Sequence, residues 1–159
     1  MRGKSTIAVI VLTAALIAAA VAAADEAVPT REEYVAKVDP ICKANTDLNR
    51  PLLKSSKELS NEKKYKPAAI KVEKAVKNFG KTLRSIEAVP RPPEDNARLE
   101  RWFGYLKIAK TNLGKVAKAL REENRVKAVH EEIRTERSIN AAHNVSFTFK
   151  FKYCDLRVH

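Results

Sequence analysis

Along most of this chain, hydrophobic side chains recur at intervals of three and four, the spacing that lines one face of an α-helix. The pattern is clearest in Ala69, Val72, Val76, Phe79, Leu83 and Ile86, which predict a helix starting near Lys66 or Pro67. Pro90, Pro92 and Pro93 close it, because the residue before each proline is pushed out of helical geometry. The next helix is predicted to open at Pro93-Glu94-Asp95, with acidic residues at its positive end. It carries Leu99, Trp102, Phe103, Leu106, Ala109, Leu113, Val116 and Leu120 before ending around Glu123-Asn124.

Upstream, Thr30-Arg31-Glu32-Glu33 fits a capping box, so a first helix is predicted from about Arg31. Its stripe is Tyr34, Val38, Ile41, Leu48, Leu52 and Leu59, with Asn45 and Ser55 as polar members. Pro40 removes a backbone donor and crowds the preceding turn, which implies a kink, or a short first helix and a fresh start at Asp39-Pro40. Downstream, Val126, Val129, Ile133 and Ile139 predict a fourth helix, with Glu136 and Asn140 standing where apolar residues belong.

The period then changes. Val145, Phe147, Phe149, Phe151 and Tyr153 alternate with Ser146, Thr148, Lys150 and Lys152, a strand-like pattern. A lone strand is not stable. The reading adopted is that helix four ends near Val145 and an extended tail lays its aromatic side along the bundle; the rival is a helix continuing to about Phe149. Four apolar-faced helices with short connections bury themselves most simply as an up-and-down four-helix bundle, so the predicted fold is all-α. A length of 159 residues suits one domain.

Residues 1–24 read as a signal peptide: Arg2 and Lys4 begin it, Ile7 to Val21 carry no charge, and Ala22-Ala23-Ala24 supplies small residues for cleavage before Asp25. The helical bundle domain is then residues 25–159. The alternative is an uncleaved membrane anchor, since the uncharged stretch 5–24 approaches the roughly 20 residues that span a bilayer. Two cysteines in an exported chain imply a disulfide, here Cys42 with Cys154, tying the tail to helix one. A redox role fits poorly without a Cys-x-x-Cys or alternating strands and helices.

The stretch Tyr34-Val-Ala-Lys-Val-Asp-Pro-Ile-Cys-Lys-Ala-Asn45, the signal before it, the proline-rich turn at Val89 to Pro93 and the Phe-Lys-Tyr-Cys ending at Cys154 resemble a class of small exported helical proteins of Gram-positive bacteria. The similar proteins often carry a glycine shortly before the last cysteine, where this chain has Phe149-Lys150-Phe151-Lys152. The resemblance implies a helical fold and an extracytoplasmic location.

Charge adds the strongest functional pointer. Lys and Arg total 31 against 19 Asp and Glu, a net +12; without Arg2 and Lys4 the mature chain keeps +10. Such a surplus draws anionic partners, namely lipid headgroups, wall polymers or nucleic acid. Lys74, Lys77, Lys81 and Arg84 fall between about 120° and 200° from Val72 at about 100° per residue, opposite the apolar face of their helix. They are the candidate residues for binding an anionic envelope surface, although an ordinary solvated face has the same pattern. Basic and aromatic residues interleave in the tail as in single-strand binders, but export and the lack of a nucleic-acid fold motif argue against that partner.

Catalytic and metal chemistry find little support. His130, His143 and His159 lack a glutamate three residues earlier, and His130-Glu131-Glu132-Ile133-Arg134 has Arg where a zinc site needs a second His. Glycines are scattered singly, no Gly-x-Ser-x-Gly occurs, and Glu122-Glu123 and Glu131-Glu132 read as solvated helix ends and ion pairs. The expectation is a non-enzymatic protein with no cofactor and no metal. The alternative is a ligand- or protein-binding module using the bundle interior or the Trp102-Phe103 region. Asn45 and Asn140, on or near the apolar stripes, either touch such a ligand or hydrogen-bond each other to fix helix register. Asn144-Val145-Ser146 matches a glycosylation acceptor, relevant only in a eukaryotic secretory pathway. Oligomeric state is not legible in the sequence.

Overall fold

Thr30 starts the first helix as the sequence predicts: its hydroxyl accepts from the Glu33 amide at 3.2 Å, and its own amide donates to the Glu33 carboxylate at 2.9 Å. The computed structural model describes residues 28–154. The predicted signal 1–24, the alternative anchor 5–24 and His159 lie outside the described residues. Within them the chain is all-helical: α1 (Arg31–Asn61), α2 (Tyr65–Glu87), α3 (Asn96–Arg121) and α4 (Arg125–Ser146), with short 3-10 turns at Pro93–Asp95 and Phe147–Phe149.

α1 is one helix of 31 residues that passes through Pro40 and Pro51, so no fresh start occurs at Asp39-Pro40. Both prolines are exposed, as are Ala36 and Asp47 four residues earlier, which leaves water to satisfy the carbonyls that lose an intrahelical donor. The α1–α2 and α3–α4 turns are built alike. Lys63 and Glu123 take left-handed φ values of 62° and 54°. The next amide then reaches back over the helix end, Lys64 to the Leu59 carbonyl at 2.8 Å and Asn124 to the Ala119 carbonyl at 2.9 Å. Each helix packs on the next, α1 on α2, α2 on α3 and α3 on α4. Neighbours run antiparallel: Asn45 meets Thr82 and Asn49 meets Asn78, while Glu73 meets Arg121 and Glu87 meets Lys107.

The interior has two apolar clusters. One joins Tyr34, Val38 and Cys42 of α1 to Phe79, Leu83 and Ile86 of α2, Leu99 to Ala109 of α3, Ala142 of α4 and the tail. The other joins Ala68, Ala69 and Val72 to Val116, Leu120 and Ala128. Between them lies a polar layer. Asn45 Oδ1 accepts from Asn49 Nδ2 at 2.8 Å and from the Thr82 hydroxyl at 3.1 Å, and Asn49 Oδ1 accepts from Asn78 Nδ2 at 3.0 Å. These bonds fit only one α1–α2 register, which is the structural role expected for Asn45. Its partners are not Asn140, which is exposed on α4.

The predicted stripes of α2 and α3 hold, while those of α1 and α4 need correction. Beyond Asn45 the inward line of α1 is Asn49, Ser56 and Ser60, and Leu48 is 59% exposed. The buried row of α4 is Ala128, Glu131, Ser138, Ala142 and Ser146, whereas Val126 is 82% exposed and Ile133 is also exposed. The buried row of α4 is thus mostly small side chains, while Ile139, on the predicted stripe, and Val145 are partly buried against the first cluster.

The tail is corrected in part. α4 ends at Ser146, where the sequence reading places it, but a 3-10 turn over Phe147–Phe149 follows before the chain leaves helical geometry at Lys150, φ 55°. Phe147 therefore points to water at 70% exposure instead of joining Phe149. Phe149 and Phe151 stack at 5.3 Å, Phe151 stacks on Trp102 at 5.3 Å, and Tyr34 meets both phenylalanines edgewise or tilted. Asp39 accepts from the Lys152 and Tyr153 amides at 2.9 and 3.0 Å, and Cys154 is bonded to Cys42. Arg31 completes the corner, forking onto buried Asp95 with two 2.7 Å bonds and covering the Phe149 ring at 5.1 Å.

Gly104 sits exposed in mid-α3, and a Cβ there meets nothing within 4 Å. Gly104→Ala is expected to raise stability by about 0.8–1.0 kcal/mol, read by urea denaturation; an unchanged midpoint would contradict it.

Candidate functional site: the outer face of α2

The candidate residues stand together. Lys74, Lys77, Lys81 and Arg84 are all exposed on the side of α2 opposite Val72 and Leu83, which are buried. Exposed Ile70, at 56%, lies on the same side one turn earlier.

The acidic residues of α2 do not neutralise this row. Glu73 turns toward α3 and takes both nitrogens of the Arg121 fork, the second at 2.6 Å, and this hydrogen bonding holds its carboxyl below the usual carboxylate range. Glu87 pairs with Lys107 at 2.5 Å. Lys66 is drawn to Glu123 at 3.3 Å. Lys71, Lys74, Lys77, Lys81 and Arg84 are left with no carboxylate partner among the described residues. An open depression of about 230 Å³ lies beside the row on the α2–α3 seam, floored by Val76, Gly114 and Ala117 and rimmed by Glu73, Lys118 and Arg121. Residue pattern alone missed it, because it depends on which residues of α3 come opposite α2.

The Trp102-Phe103 region offers no open surface. Trp102 is 1% exposed, beneath Phe151, and Phe103 is buried under Arg91. The histidines stay apart: His130 is exposed with Nδ1 3.7 Å from Glu131, and His143 packs on Phe147. Glu131 departs from the solvated reading, being buried with Oε1 3.8 Å from Arg134. Among the described residues no three His, Cys, Asp or Glu side chains gather to hold a metal, and no helix is long and apolar enough to cross a membrane.

The chain matches no known family model, no curated protein and no solved structure.

Proposed function

We propose that the chain is a non-enzymatic protein, exported by a signal at residues 1–24, whose bundle associates with an anionic envelope surface, lipid or wall polymer, through Lys74, Lys77, Lys81 and Arg84. The observation that carries this reading is the division of labour on α2: its two glutamates are spent on α3, and its outer face keeps cations with no carboxylate partner among the described residues. Cations held on one rigid face approach a flat anionic surface together. Each contributes about 1 kcal/mol near such a surface, and the attraction falls within a Debye length of about 8 Å at physiological salt. Ile70 adds an apolar contact on the same face.

The test is co-sedimentation of the chain from residue 25 with phosphatidylcholine vesicles, with and without phosphatidylglycerol. Binding is expected only to the anionic vesicles and is expected to weaken as salt rises. Changing Lys74, Lys77, Lys81 and Arg84 to Gln should lower it at least about tenfold, with a ceiling near a thousandfold at about 1 kcal/mol per cation. Neutralising Arg50, Lys54, Lys115 and Arg137, exposed on other helices, should cost much less. Equal losses from both sets would mean that net charge acts without any particular face. No binding at low salt would end the lipid form of the reading.

A further inference from the structure

The seam between α2 and α3 carries a gap in a regular row of charge pairs. Glu73, Gly80 and Glu87 stand seven residues apart on α2 and so lie on one line along it. At the outer two positions the carboxylate meets a cation of α3, Arg121 or Lys107. At the middle position no side chain exists. A Cβ on Gly80 would stand 3.6 Å from Lys110 Nζ and 3.9 Å from Arg84 Nη1, so a cation from each helix converges over bare backbone. Neither has a carboxylate partner among the described residues, and Lys77 and Lys81 flank the gap on α2.

Two like charges so close repel, and a carboxylate on this line satisfies only one α3 cation, as Glu73 and Glu87 do. A tetrahedral oxyanion has oxygens enough for both: Arg supplies a planar fork and Lys a compact point charge. We infer that the Gly80 gap is a subsite for one phosphate group, held between Arg84 and Lys110. One turn along the same seam, the depression over Val76, Gly114 and Ala117 has room for the organic part of a phosphate ester. The inference rests on the anionic-surface reading and sharpens it from diffuse attraction to selection of phosphate, whether from a lipid headgroup or from a free or polymer-borne ester.

Gly80→Glu supplies the missing carboxylate. The added side chain starts in ordinary contact with the ends of two flexible side chains and replaces a poor helix former, so the variant is expected to fold with a thermal midpoint no lower than the parent's. The experiment follows backbone amide shifts of the chain from residue 25 during titration with inorganic phosphate and then glycerol phosphate, at ionic strength held constant with chloride. Saturable shifts confined to the surroundings of Gly80, Arg84 and Lys110 are expected. They should need at least about tenfold more phosphate in Gly80→Glu and in Lys110→Gln. Small shifts spread over all lysines, or equal affinity in the variants, overturn the subsite.

A second arm uses vesicles of matched charge bearing either phosphatidylglycerol or a carboxylate lipid. Preference for the phosphate lipid, lost in Gly80→Glu, makes the headgroup the source. Seam shifts without vesicle binding keep the subsite, make a free or polymer-borne ester the source and remove the membrane reading. Salt-sensitive vesicle binding without seam shifts removes the subsite and leaves the basic face standing.

Discussion

Breaking the Cys42–Cys154 bond, by reduction or by changing both cysteines to alanine, is expected to cost about 2–5 kcal/mol of stability. The bond joins residues 112 apart in sequence, and the chain-entropy model gives about 4.7 kcal/mol for a loop of about 100 residues. The lower end of the range applies if the tail stays docked without it. Asp39 still accepts the two tail amides, and Phe149 and Phe151 still stack against each other and against Trp102. At roughly 4 °C per kcal/mol for a domain of this size, the melting temperature should fall by about 8–20 °C. Hydrogen exchange should rise first at the Lys152 and Tyr153 amides, before α2 or α3 responds. A melting temperature indifferent to reductant would show that aromatic packing and Asp39 alone hold residues 149–154.

The second large effect belongs to Tyr34. Its ring is fully buried, and its hydroxyl has no hydrogen-bond partner among the described residues. Burial away from water disfavours the phenolate and pushes the phenol up to about 12, with Arg91 pulling weakly the other way. The folded-state value lies above the ordinary value near 10, so the stability held by the neutral phenol is intact below about pH 10 and is lost as pH rises toward 12. Two units amount to about 2.7 kcal/mol. Denaturant midpoints measured across that window should therefore fall more steeply in the parent than in Tyr34→Phe. At neutral pH the same variant should be equal or more stable by up to about 1 kcal/mol, since it removes a buried hydroxyl that pairs with nothing. A loss above about 1 kcal/mol at neutral pH would mean that the hydroxyl has a partner after all.

The sequence was most legible where burial is done by large apolar side chains. Val72 to Ile86 on α2 and Leu99 to Leu120 on α3 project as stripes because each inward position holds a group whose hydrophobicity registers. α4 and the second half of α1 pack through Ala, Ser and Asn, so their inward rows carry little apolar signal, while exposed Val126 and Leu48 supply a misleading one. The tail misled differently: alternation over residues 145–153 spans a helix end, a 3-10 turn and a short irregular run, which share no single period. The basic row was readable because its residues belong to one helix. The Gly80 gap was half readable, as a seven-residue line of Glu, Gly and Glu, but Lys110 enters it only through the pairing of two helices.

The clasp of residues 149–154 on α1 has a consequence in time. Tyr34, Val38 and Cys42 are covered by Phe149, Phe151 and Cys154, which are synthesised long after them. At about 5–20 residues per second, the ribosome needs roughly 6–22 s to travel from Cys42 to Cys154, a separation of 112. Throughout that interval the first helix can be complete while its inner face waits and the Cys42 thiol has no mate. The first helix is therefore covered late, and whatever guards a nascent chain must shield a greasy patch and a reactive sulfur until residues 149–154 arrive.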